Sequence, residues 1–118
     1  VSGIAKFRLF LEKLGGLHDA RVLQFTFDAT QRVLRMEIDD IFSNFEGLPE
    51  YTEPRPGKIV LHQISDVTIS LQSNTGPLNI YEFSIVPDES KGGSVSLKFW
   101  PQGTIQLRCD SAEFPDLT

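Results

Sequence analysis

Disulfide chemistry within the chain is ruled out, because Cys109 is its only cysteine. The fold must rest on its core alone, and a lone thiol fits a reducing compartment. Long apolar runs are also missing. None approaches the ~18 to 20 residues that cross a bilayer as a helix, and the first residues lack the basic segment, apolar run and small-residue cleavage site of a signal peptide. The expected location is therefore the cytoplasm. Basic residues are scarce, 11 against 16 acidic ones, for a net charge of -5. That field repels phosphate backbones and anionic lipid, so neither nucleic acid nor a membrane is an expected partner. No nucleophile-elbow, phosphate-loop, dinucleotide-binding or zinc-ligand spacing occurs, and no cofactor is expected.

What remains is an ordinary globular composition. With 118 residues, 40% hydrophobic and 23% charged, the chain reads as one domain over 1–118 with one core. Ile4, Phe7, Leu11 and Leu14 recur at helical spacing with Phe10 beside them. Ser2 can cap that helix and Gly15-Gly16 can stop it, so a helix is expected over about 3–14.

From about residue 20 to 110 the period falls to two. Leu23, Phe25 and Phe27 form one apolar face, the Asp28-Ala29-Thr30-Gln31 turn follows, and Leu34, Met36 and Ile38 form the next. That pattern is a hairpin. The stretch from Lys58 to Leu71 continues the rhythm but is interrupted at Gln63 and Ser65, so a bulge or tight turn is expected near Ser65-Asp66. Tyr81, Phe83 and Ile85, then Val95, Leu97 and Phe99, then Ile105, Leu107 and Cys109 give three further inward sets separated by Gly- and Pro-bearing breakers. One apolar face per strand excludes a parallel α/β sheet. The expected fold is mainly β with one N-terminal helix, an antiparallel six- to seven-stranded sandwich or partly open barrel on which the helix packs.

One irregular stretch stands apart. From Glu37 to Glu53 there are six carboxylates, and no Lys or Arg appears until Arg55. The irregular stretch itself, Ile41 to Gly57, carries Phe42, Phe45, Leu48 and Tyr51 among Pro49, Pro54 and Pro56. A loop that is both greasy and acidic suits a protein contact, with Phe42, Phe45 and Tyr51 as anchors and Glu46, Glu50 and Glu53 steering the encounter. The function expected from this is a non-enzymatic protein-interaction or binding module with an unidentified protein partner. Self-association through the wet sheet face is a further possibility.

Other residues bear chemistry of their own. His18-Asp19 lies between the helix and the first strand, where it either caps turn N–H groups or serves as a metal or acid/base pair. Helical metal-dependent phosphohydrolases share the doublet but need more His and Asp on helices, whereas only His62 remains here. With Asp40 at the end of the second strand, His18 and Asp19 define the alternative, a metal-dependent or small-ligand enzyme. Cys109 shares its face with Ile105 and Leu107 and should be buried and inert. Trp100 has outward parity at a hairpin end, favouring a packed corner over an exposed anchor.

The Leu17-His18-Asp19-Ala20 lead-in resembles a loose group of small uncharacterised bacterial β proteins, as does the final hairpin, Ser96-Leu97-Lys98-Phe99-Trp100 then Gly103-Thr104-Ile105-Gln106-Leu107-Arg108-Cys109. Some of that group are similar to immunity proteins that neutralise toxins. The resemblance implies a cytoplasmic binding module and supplies no catalytic residues.

Overall fold

Helix α1 runs from Ile4 to Lys13 and turns Ile4, Phe7 and Leu11 inward. A computed structural model describes residues 3–41, 55–71, 78–88 and 92–115. Gly3, at φ 87, occupies the N-cap position without a side-chain hydrogen bond; the expected cap, Ser2, lies outside the described residues. Ten residues make a helix that is marginal alone. Packing supplies what is missing, since each buried Leu or Phe contributes about 1.5–3 kcal/mol. Gly15 and Gly16, at φ 72 and 69, stop the helix in the left-handed region as their sequence requires.

Eight strands follow among the described residues, one or two more than expected. They are β1 (Val22–Asp28), β2 (Val33–Ile38), β3 (Gly57–His62), β4 (Ser65–Ser70), β5 (Asn79–Pro87), β6 (Gly93–Trp100), β7 (Thr104–Cys109) and β8 (Ser111–Glu113). They form two antiparallel four-stranded sheets, ordered β1-β2-β3-β8 and β4-β7-β6-β5. The sheets pack as a sandwich around inward Leu34, Met36, Ile59 and Leu61 of the first and Ile85, Leu97, Ile105 and Leu107 of the second.

The excess over the expected strand count has two sources, the short β8 and the division of one apparent strand. The Lys58–Leu71 stretch is two strands, because the chain leaves the first sheet at His62 and enters the second at Ser65. Gln63, at φ 53, makes the corner while Ile64 stays buried. The expected irregularity near Ser65-Asp66 is also present, as a register shift between Ser65 and Thr68 with Asp66 at φ 51. The partner strand bends at the same place: β7 ends at Cys109 and β8 begins at Ser111, with the Asp110 N–H donating to the His62 carbonyl. A single two-stranded ribbon thus crosses from one sheet to the other.

The opposite side is closed differently. Arg21 bridges Asn79 in antiparallel fashion, and the N–H groups of Asp19, Val22 and Ile80 donate to the carbonyls of Ile80, Leu78 and Ala20, each at 2.8 Å. Helix α1 packs where β5 and β8 leave the core uncovered. Phe7 stacks on Phe114 at 4.6 Å between centroids and lies 6.0 Å from Phe83, while Phe10 meets Phe114 edge-on.

Two inward assignments from the sequence are corrected, and for one reason. The β1–β2 register shifts between Val22 and Gln24, and the β5–β6 register shifts between Ile80 and Glu82. An extra residue at each place reverses the parity before it. Val22 and Ile80 therefore face the core, whereas Leu23 and Tyr81 are each 56% exposed.

Candidate functional site

The two bulges and the bridge lie at one end of the sandwich, and backbone pairing runs across that end in an unbroken row. Gly57 pairs with Ile38, Ile38 with Val22, Arg21 with Asn79, and Asn79 with Trp100. The side chains that sequence analysis singled out in the described residues fall largely on this row or beside it.

His18 and Asp19 follow a left-handed stretch of backbone. Gly15 and Gly16 lead into Leu17 at φ 57, and Asp19 is at φ 72. A bulky residue in that region costs about 1–2 kcal/mol, which full burial of Leu17 offsets. Backbone bonding of Asp19 to Ile80 fixes the segment against β5. The His18 imidazole reaches the same strand, with Nδ1 2.8 Å from the Tyr81 carbonyl oxygen. A carbonyl can only accept, so the proton sits on Nδ1. The His18 ring also meets the Tyr81 ring edge-on at 5.7 Å, and its Nε2 lies 3.5 Å from Asp19 Oδ1.

Asp39 and Asp40 act on backbone. The Arg21 N–H donates to Asp39 Oδ1 at 2.8 Å, and the Asp39 N–H donates back to the Arg21 carbonyl at 3.0 Å. Asp40 Oδ1 accepts the Arg55 N–H at 3.1 Å while the Ile41 N–H donates to the Arg55 carbonyl at 2.8 Å. These bonds pin Ile41 and Arg55 to each other, the two described residues that flank segment 42–54. Gly57 belongs to the same clamp, since a Cβ there would meet Ile41 Cγ2 at 2.4 Å. The expected anchors and steering groups within that segment, Phe42, Phe45, Glu46, Glu50, Tyr51 and Glu53, lie outside the described residues.

Of the enzyme-like grouping, His18 and Asp19 meet each other. His18 engages Tyr81 and Asp19, whereas Asp40 engages Arg55. Among the described residues no three His, Cys, Asp or Glu side chains are gathered as a metal would require. Two surface hollows, one of about 290 Å³ over β5, β6 and β7 and one of about 510 Å³ between α1 and β5, are lined by other residues.

Cys109 is buried, as its parity requires. Burial pushes its thiol up to about 11, with Asp110 adding to the effect and Arg108 opposing it. The thiolate needed for nucleophilic chemistry is thus disfavoured. His62 is engaged by Glu113, with Nε2 to Oε1 at 2.8 Å.

Trp100 departs from the packed corner that its turn position favoured. It is 60% exposed, on the outer face of β6 next to the row described above. Tyr81 reaches the same solvent face because of its bulge. Below them Lys98 and Glu82 pair at 3.8 Å, half exposed. Sequence parity marked Trp100 as outward; nothing in it marked Tyr81, since a bulge leaves no local signature in a strand this apolar. Comparison with protein-family models gives no match to this chain, and comparison with curated proteins finds none similar to it.

Proposed function

We propose that this chain is a non-enzymatic protein-interaction module, immunity-like in its mode, that engages its partner with the end of the sandwich bearing Tyr81 and Trp100. The observation that carries this reading is the pair of exposed aromatics on a braced backbone. Tyr and Trp dominate binding hot spots because they supply large contact area at little entropic cost. Here Tyr81 is lifted outward by a bulge and held through its carbonyl by His18. Pre-organisation of that kind lowers the cost of binding.

Ile41 and Arg55, which flank segment 42–54, are bonded to each other beside this end. In this reading Phe42, Phe45 and Tyr51 extend the apolar contact, and Glu46, Glu50 and Glu53 attract a basic partner surface. A partner with a cationic cleft fits this chemistry, and the reducing cytoplasm is the compartment in which it would be met.

Capture from a lysate of the native host, run in parallel with wild type, Tyr81→Ala/Trp100→Ala and Glu46→Ala/Glu50→Ala/Glu53→Ala, tests the reading. The partner should be retained by wild type and lost with the aromatic double variant. With the triple variant it should associate more slowly and with a flatter salt dependence. Equal capture and equal association rates for all three chains would remove the proposal.

A further inference from the structure

Strand β1 is paired on one side only. Along Gln24 to Asp28 its backbone registers with β2, and beyond the single Arg21 bridge to Asn79 no described strand occupies its other edge. Free edges in monomeric proteins are usually guarded by charge, proline, bulges or brevity. The run Leu23-Gln24-Phe25-Thr26-Phe27 has neither charge nor proline, and its bulge guards only the first residue. The edge of β4, by contrast, carries Asp66 in a bulge.

A second observation concerns the core-facing side of β1. Phe27 registers directly with Leu34 on that face, yet Leu34 is 1% exposed and Phe27 43%. The core stops at β1 with an aromatic ring half uncovered. Only an extended strand both satisfies a row of unpaired N–H and C=O groups and covers a ring on the inner face.

We infer that β1 pairs antiparallel with β1 of a second copy of this chain, about a twofold axis at Thr26, so that the two first sheets become one. The argument for a second copy is that β1 is complementary to itself in this register. Phe25 falls opposite Phe27 of the second copy, and Phe27 opposite its Phe25, on the core face. Thr26 meets Thr26, and Gln24 meets Asp28, on the solvent face. Aromatic and Thr–Thr cross-strand pairs are favourable, and no like charges stand opposite one another. An axis at Phe25 instead would set Phe27 against Leu23, which the bulge has moved off that face. The contact is isologous and closes at two copies.

Thr26→Glu separates this contact from the fold. Within one copy the new carboxylate faces Arg35, the residue that registers with Thr26, whereas across the axis it faces its own like charge. Sedimentation over a range of concentrations should show wild type as a dimer and Thr26→Glu weakened by about tenfold or more, with an unchanged circular-dichroism spectrum. As a second arm, Thr26→Cys should form an intermolecular disulfide under mild oxidation, because Cα atoms paired across strands lie within disulfide range, while buried Cys109 leaves wild type uncrosslinked. A wild-type chain that stays monomeric throughout overturns the inference. So does a dimer that Thr26→Glu leaves intact, or a Thr26→Cys chain that does not crosslink.

Discussion

The imidazole of His18 donates through Nδ1 to the carbonyl oxygen of Tyr81, 63 residues away in the chain, at 2.8 Å. The bond ties the left-handed segment after α1 to the bulge in β5. It also gives His18 a structural role, holding β5 against the segment that follows the helix. Replacing His18 with Ala should lower stability by about 1–2 kcal/mol, the cost of losing one such bond and leaving its acceptor. Urea denaturation measures this. An unchanged midpoint would show that the Tyr81 bulge stands without it.

Gly57→Ala should be costly although glycine sits there in extended backbone. The obstacle is steric: the added methyl would fall 2.4 Å from Cγ2 of Ile41, a β-branched side chain that is itself buried. Overpacking at such a site costs about 1–3 kcal/mol. Ile41→Ala creates room, so the double variant should recover part of the Gly57→Ala loss and show non-additivity in denaturation measurements. Strict additivity would place the strain elsewhere.

Much of this architecture was readable from side-chain rhythm. The α1 stripe, the β1–β2 hairpin, the inward faces of β6 and β7 and the burial of Cys109 all follow from spacing, because each element presents one face to one core. What escaped was set by backbone. The bulges at Leu23 and Tyr81 each add one residue, and where the preceding residue is also apolar, as Val22 and Ile80 are, alternation does not reveal which of the two turns inward. The crossing at Gln63 and Ile64 broke one apparent strand into two sheets, since the apolar parity of Ile59 and Leu61 resumes at Val67 after it. Strand β8, Ser111-Ala112-Glu113, is too short to show any period. The exposure of Trp100 required knowing that no other described element covers the outer face of β6. The roles of Asp39 and Asp40 likewise depended on which N–H groups would come within reach.

The thiol of Cys109 should make the folded state sensitive to alkali. Its folded value of about 11 lies above its ordinary 9.0, so the folded chain keeps a proton that the unfolded chain sheds between those limits. The contribution is complete below pH 9 and is lost as pH rises through about 11. Thermal or urea midpoints over that window should fall more steeply for wild type than for Cys109→Ala. A thiol reagent at neutral pH should label wild type only on unfolding. Equal pH slopes for the two chains, or rapid labelling of the native protein, would contradict the burial argument.

Trp100 is the only tryptophan, so its fluorescence reports directly on the surface proposed to bind. In the free chain its emission should resemble that of indole in water and be quenched freely by acrylamide, as 60% exposure requires. On addition of the partner recovered from the host, emission should shift to the blue and quenching should fall, because a hot-spot aromatic is desolvated on docking. A partner that binds while emission and quenching stay unchanged would contradict the assignment of this end as the docking surface.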